Sequence, residues 1–437
     1  MVQVKNLAEL KAALIEEEKS IEVMHSILIP HTIKLKEGVS LVGNKESEVL
    51  LAFNTSEGIA LEGSNTIKNI AIQTQPNNRA IYIESNLEDL ATITLENLTL
   101  TGQVQILTRA PQMNLNLAVN NIDIISSDSR NFPEKPLKYG VTVYQGALTV
   151  YNYNSNPDSK IIATIEGVSI GRKGSPVIGT GVYIGGFNDT GGQVDLQRLQ
   201  TNDIYSNGMI PFGQPTLITA GIFILTGAHA KEIITDGSVT TYGVNDMVLD
   251  VWGEVDNWLV NGPVLSYGTS GIGFVNFGIV HNFEARQPIE TYGSGARGFN
   301  QYDGTIDKAV FEAIKTYGDG SIGMQFSKPV GTIKINQNIE THGASGESLV
   351  KGEIQTLDAI ALSIKAAGKI SKLIVDGDIL THGDDILAVS IEEDGELNDF
   401  NIKGNIVTND ATAKSIEISD KAIITEDIKK VIANCIK

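Results

Sequence analysis

The chain has 437 residues, of which 41% are hydrophobic, with 44 glycines, 12 prolines, a single cysteine and a formal charge of −19. Such a length can bury a sizeable core, and glycine without proline points to tight turns between strands rather than to a low-complexity chain. The acidic balance disfavours a phosphate backbone or an anionic lipid surface, so neither a nucleic-acid nor a membrane partner is expected, and the lone Cys435 excludes an intramolecular disulfide or a multi-cysteine metal site.

The N-terminal MVQVKNLAELKAALIEEEKS lacks the basic head and apolar core of a signal peptide. It predicts a cytoplasmic protein, or an extracellular one if the chain is a trimmed mature form. No apolar run is long enough to span a bilayer. Residues 6–18, NLAELKAALIEEE, read as a short amphipathic helix with Asn6 as its N-cap, within a capping region over 1–20.

Beyond it, VSLVG (39–43), IAIQT (70–74), LTLTG (98–102), IDIIS (122–126), VSIGRKG (168–174) and DIYSNG (203–208) alternate with strand spacing. The pattern breaks at SSDSRNFPEKPLKYG (126–140), which carries Asp128, Arg130, Lys135, Lys138 and Tyr139. Insertions in a rigid scaffold are where binding loops usually lie. Arg130, Lys138 and Tyr139 are therefore candidate ligand contacts. Arg172, in the turn of VSIGRKG, joins them if successive units stack in order.

From Thr241 the sequence repeats openly. Thr/Ser-Tyr/His-Gly begins at Thr241, Ser266, Thr291, Thr316 and Thr341, 25 residues apart each time, returns at Thr381 and ends in a degenerate TNDAT from Thr408. Apolar residues recur at every second position within each unit, and the triplet glycine is expected to supply a turn at positive φ. Stacked units would set Tyr242, Tyr267, Tyr292, Tyr317 and His342 in one column and their Thr/Ser neighbours in the next. A further insertion, ESLVKGEIQTLDA (347–359), precedes the Thr381 copy. TEDIKKVIANCIK (425–437) reads as a closing helix with Thr425 at its start, under which Cys435 is expected to pack.

This coil repeat, its ladders and the helix leading into IEVMHSILIPHTIKLKEGVSLVG resemble the right-handed parallel β-helix superfamily, the pectate-lyase-like proteins. The expected fold is all-β: a right-handed single-stranded parallel β-helix of roughly 12 coils, forming one domain over 1–437 with coils over 21–424 and short helical caps at both ends. The resemblance implies polysaccharide lyase, glycoside hydrolase or epimerase-like activity if the protein is an enzyme, and non-catalytic adhesins also belong to the superfamily. No signature of a specific enzyme family is present.

One copy of the repeat departs from its neighbours. In TYGSGARGFNQYDGT (291–305), Arg297 stands where Ile272 and Ile322 stand in adjacent copies. In phase, Asp250, Val275, Asn300 and Gln325 align, as do Trp252, Phe277 and Tyr302. If both columns face solvent, aromatic faces beside a carboxylate and an amide would suit a sugar ring. Trp252, Asn300 and Tyr302 are then substrate contacts, and Arg297, Asp303, His281 and Asp250 the candidate catalytic groups. A bulged, solvated turn is the competing reading of Arg297.

No metal ligand set and no cofactor is expected. The acidic runs Asp376–Asp378, Asp384–Asp385 and Glu392–Asp394 could take calcium but lack the calcium-roll nonapeptide. The functional expectation is a protein that binds or processes a poly- or oligosaccharide on a groove along one face. The alternative is a non-catalytic structural or interaction scaffold, and either could be a homo-oligomer.

Overall fold

A computed structural model describes residues 1–136, 138–214, 216–350, 353–409 and 414–437, the Leu349 side chain apart. Among the described residues, strands make up 56% and run in long parallel sheets, with two α-helices. The chain gathers into two compact units, residues 1–206 with 224–233, and residues 207–223 with 234–437.

In the second unit the sequence period becomes strand register. Val264, Leu265 and Ser266 pair in parallel with Ile289, Glu290 and Thr291, which pair with Ile314, Lys315 and Thr316 and then with Ile339, Glu340 and Thr341. The longer strands Glu254–Val260, Ile279–Ala285, Thr305–Phe311 and Pro329–Ile335 follow one another in the same way. A separate parallel ladder holds Asp246–Val251, Ile272–Asn276, Arg297–Gln301 and Ile322–Phe326. The column of Thr241, Ser266, Thr291, Thr316, Thr341, Thr381 and Thr408 forms as expected. In the degenerate TNDAT copy, residues 410–412 lie outside the described residues.

The ring column also forms. Tyr242, Tyr267, Tyr292, Tyr317, His342 and His382 stack face to face, with centroids 4.4–5.5 Å apart and planes within 12° of parallel. The triplet glycines act differently from expectation: Gly268, Gly293, Gly318 and Gly343 do not have positive φ. A Cβ on each would instead lie 1.6–2.1 Å from the carbonyl oxygen of the triplet glycine one repeat earlier. Glycine is there because the stacked turns approach too closely for any side chain.

Aromatic side chains fill the centre of this unit. Phe274 stacks on Phe283 at 4.3 Å, Trp258 meets both edge-on, and Phe299 touches Phe274, Phe311 and Phe326. All five residues of Ile272–Asn276 and of Arg297–Gln301 are buried. Strands covered on both faces lose the in–out alternation that marks a half-exposed strand.

The first unit uses the same parallel pairing with longer strands, Asp89–Thr101, Asn114–Ser126 and Lys160–Ile170. A ladder of amides marks one of its bends: Asn97 Nδ2 donates to Asn69 Oδ1 at 3.0 Å, and Asn121 Nδ2 to Asn97 Oδ1 at 2.9 Å. All three asparagines have positive φ, which asparagine tolerates better than most residues.

A helix forms within each of the two segments expected to be helical, shorter than the segment in both cases. Helix α1 (Leu7–Ile15) has Asn6 as its N-cap, accepting from Glu9 N at 3.0 Å, and buries Leu10 and Ala13. Helix α2 (Glu426–Asn434) starts after the Thr425 cap and buries Ile428 and Ile432. Cys435, half-buried, is the C-cap residue, and its carbonyl accepts from Ile406 N at 2.7 Å. The second insertion is an antiparallel hairpin, Ser345–Val350 with Glu353–Asp358, whose Lys351 and Gly352 lie outside the described residues. The first, in which Leu137 lies outside them, contains a short 3-10 turn, Ser129–Asn131, and a strand, Pro133–Glu134, antiparallel to Thr142–Tyr144.

Candidate functional site

The polar copy of the repeat holds its register. Arg297 pairs with Ile272 and Ile322, Phe299 with Phe274 and Met324, and Asn300 with Val275 and Gln325, so no bulge precedes these residues. The extra residue comes after them, where Ile279 pairs with Thr305 and Gly304 takes φ 61°. The columns predicted in phase therefore exist, but the one from Asp250 to Gln325 is buried and the one from Trp252 to Tyr302 is at most half-exposed. Asp250 and Asn300 are fully buried, Trp252 is 2% exposed and Arg297 5%. Trp252 packs edge-on against Phe223 and Phe277, and the next two members of the column, Phe277 and Tyr302, are half-buried.

Burial shapes the chemistry of these groups. It pushes the Arg297 guanidinium below its ordinary pKa, with Tyr302 opposing. Burial also drives the Asp250 carboxyl well up, although the Trp252 indole favours the charged form. Neither carboxylate oxygen of Asp250 and neither amide atom of Asn300 has a hydrogen bond of ordinary geometry.

His281 stands elsewhere, on the surface of the longer strands. Its Nδ1 lies 2.6 Å from Asp307 and its Nε2 3.3 Å from Glu254, contacts that raise its pKa, Asp307 first. Asp303 is half-exposed, with Lys328 Nζ at 3.9 Å. Arg297, Asp250, His281 and Asp303 thus occupy separate settings and are not assembled into one cleft, because the buried strand and the exposed strand turn their side chains to different environments.

Arg130 and Lys138 of the first insertion, and Arg172 of the later turn, have local partners. Arg130 forms a two-point pair with Asp128 at 2.9 and 2.7 Å and lines an open groove with Pro76, Tyr144 and Ile178. Arg172 does the same with Asp123 at 2.8 and 2.6 Å. Lys138 lies 3.9 Å from Asp189 and over the Tyr139 ring.

The insertion still builds a site, through residues that were not singled out in the sequence. Asn131, Phe132, Pro133 and Glu134 border a cavity of about 510 Å³, with Arg79, Gln105, Arg109 and Gln145 among the other lining residues. Strand pairing sets these together: Gln103 pairs with Arg79 and Gln105 with Tyr82 in neighbouring strands, and Glu134 is carried in beside Gln145 by the short antiparallel strand. Arg79 lies over the Tyr82 ring at 3.9 Å, pairs with Glu57 at 3.2 Å and donates to Gln105 Oε1 at 3.1 Å. Gln145 Oε1 accepts from Gln103 at 3.1 Å and Gln105 at 2.7 Å, while its Nε2 donates to Glu134 at 2.7 Å.

Comparison with protein-family models, with curated proteins and with solved structures gives no match to this chain. The site is therefore read from its own geometry. Burial pushes the Glu134 carboxyl above the usual carboxylate range, while Gln145 and Arg109 pull it back. Burial also raises the Tyr82 phenol, assisted by Glu84. Arg109 lies over the Tyr153 ring at 5.4 Å, and its backbone N–H donates to Gln112 Oε1 at 2.7 Å. Side-chain amides, guanidiniums, carboxyls and a phenylalanine ring thus line one concave surface, mixing apolar contact with directional donors and acceptors.

The sequence offered one signal for this place, the break at 126–140. Arg79, Gln105 and Arg109 sit in ordinary strand patterns or at their ends, and nothing local distinguishes them from surface residues.

Proposed function

We propose that the chain is a right-handed parallel β-helix of the pectate-lyase-like kind, and that it binds an oligosaccharide in the cavity bordered by residues 131–134. The observation that carries this reading is the convergence of Arg79, Arg109, Gln105, Gln145 and Glu134 around about 510 Å³, a volume in the range of small-molecule sites. Planar amides and guanidiniums suit the paired hydroxyls of a sugar ring, and Phe132 offers an apolar face. The lining carries Arg79 and Arg109 against Glu84 and Glu134, so its charges balance. That balance favours a ligand read through hydroxyls over a strongly anionic one. Binding is favoured over turnover because the four ionisable groups singled out in the sequence have separate surroundings.

The test is calorimetry and thermal shift with neutral and uronate oligosaccharides on the wild type, Gln105→Ala and Arg109→Ala. A neutral oligosaccharide should raise the midpoint of the wild type and not of the variants. If no sugar of either class shifts it, the scaffold reading takes over. The half-exposed ring edges of Tyr267, Tyr292 and Tyr317 favour that reading, since their faces are used up in stacking on one another.

A further inference from the structure

The ring column of the second unit changes chemistry at its end. Tyr242, Tyr267, Tyr292 and Tyr317 are phenols, and the next two positions are imidazoles, His342 and His382. Thr341 and Thr381 are register partners, so the two histidines follow one another along the stack. Their rings lie 4.4 Å apart with planes 12° from parallel. Both turn Nε2 toward one carboxylate oxygen of Glu340, at 3.1 Å from His342 and 2.9 Å from His382.

We propose that Glu340, His342 and His382 form a binding site for one divalent transition-metal ion of borderline softness, of which Zn²⁺ and Co²⁺ are the representatives. The three ligand atoms all lie within 4.8 Å of one another. Ligands held about 2.0–2.1 Å from a common ion at tetrahedral or octahedral angles stand about 2.9–3.4 Å apart. The two nitrogen-to-oxygen separations already fall in that range. The nitrogen-to-nitrogen edge is within 4.8 Å, and the proposal requires His382, whose side chain is 44% exposed, to rotate out of the stack to close it.

Two imidazoles and a carboxylate select Zn²⁺ or Co²⁺ over Ca²⁺ or Mg²⁺, which require oxygen ligands. The exposed side of the histidines leaves room for water to complete the coordination. The nearest contrast lies in the same column: Tyr292 also donates to a carboxylate two residues earlier, Glu290, but a phenol bound to one glutamate is a hydrogen-bonded pair. In this column, among the described residues, only at the histidines do two ring nitrogens reach one carboxylate oxygen. Lys315, the register partner of Glu340 on the other side, is the neighbouring cation and sets a limit on affinity.

The column itself supplies the control. Tyrosine is its own ring at four positions, so His342→Tyr and His382→Tyr extend the existing stack and should fold. The measurement is equilibrium titration of the full chain with Co²⁺, followed by visible absorption, and with Zn²⁺, followed by calorimetry and thermal shift. The wild type should bind one ion per chain with a Co²⁺ absorption band and a raised midpoint. Each tyrosine variant, with an unchanged midpoint in the absence of metal, should lose affinity by roughly tenfold or more. Glu340→Gln should also weaken binding. Absence of saturable binding in the wild type, or equal binding by the double tyrosine variant, would overturn the site, whatever the sugar titrations return.

Discussion

A Cβ on Gly268 would stand 1.6 Å from the carbonyl oxygen of Gly243, one repeat earlier in the stack. Both partners are backbone or next to it, so no flexible side chain can give way. Gly268→Ala should therefore cost about 3 kcal/mol by forcing the stacked turns apart. Gly174→Ala is the comparison: it has open space around it, and its φ of 77° alone should cost about 1 kcal/mol. Urea unfolding of both variants measures the difference. Equal losses would show that the stacked turns give way to a methyl group at little cost, so that close approach does not set the need for glycine in the triplet.

Arg297 lies between Ile272 and Ile322 in register, and its Nε has no partner. A buried guanidinium with incomplete pairing costs stability that an apolar side chain of similar length does not. Arg297→Met should raise the stability of the fold by about 1–2 kcal/mol, read as a higher urea midpoint at unchanged slope. A lower midpoint would mean that the guanidinium holds the surrounding strands together.

Asp246 is fully buried and accepts from Thr219 Oγ1 at 2.5 Å, Gly208 N at 2.9 Å and Gly243 N at 2.8 Å. Burial outweighs these bonds and pushes its pKa up to about 6. A carboxyl whose folded value is raised stabilises the fold fully below its unfolded pKa, near 4, and that contribution fades as pH rises through about 6. The loss amounts to about 3 kcal/mol at neutral pH. Asn fits the same frame: its carbonyl oxygen can take both glycine N–H groups while its amide donates to Thr219. Asp246→Asn should be more stable than the wild type at pH 7, with the gap closing toward pH 4. A constant gap across that window would show that Asp246 does not titrate there.

Legibility followed burial. The TYG column could be read because identical side chains at a fixed spacing leave a mark in sequence wherever they stack, and Tyr242 through Tyr317 do stack. The direction of Asn300 and Asp250 could not be read, since alternation separates inside from outside only when one face of a strand meets water. Ile272–Asn276 and Arg297–Gln301 meet it on neither. The cavity was marked only by the insertion that borders it. Its other lining groups are far apart in sequence: Arg79 and Gln105 lie on paired strands, and Gln145, between two strands, joins them through hydrogen bonds to Gln105 and Glu134. Arg130 misled for a local reason: Asp128, two residues before it, takes the whole guanidinium.

Glu134 offers the sharpest probe of the cavity. Burial raises its pKa, and it holds Gln145 Nε2, whose amide oxygen in turn gathers Gln103 and Gln105. The carboxyl therefore favours the folded chain most below its unfolded pKa, and this contribution declines as pH rises through the higher folded value. Because the group is only partly buried, the effect should stay below about 1 kcal/mol. Glu134→Gln keeps an acceptor for Gln145, so its unfolding midpoint at neutral pH should match or slightly exceed that of the wild type. Glu134→Ala removes that acceptor and frees the amide row. Oligosaccharide affinity should then fall in the alanine variant and survive in the glutamine variant, because positioning of the amides requires an acceptor rather than a charge. Calorimetric titration of both variants separates the cases. Equal loss in the two would assign the charge itself to ligand contact.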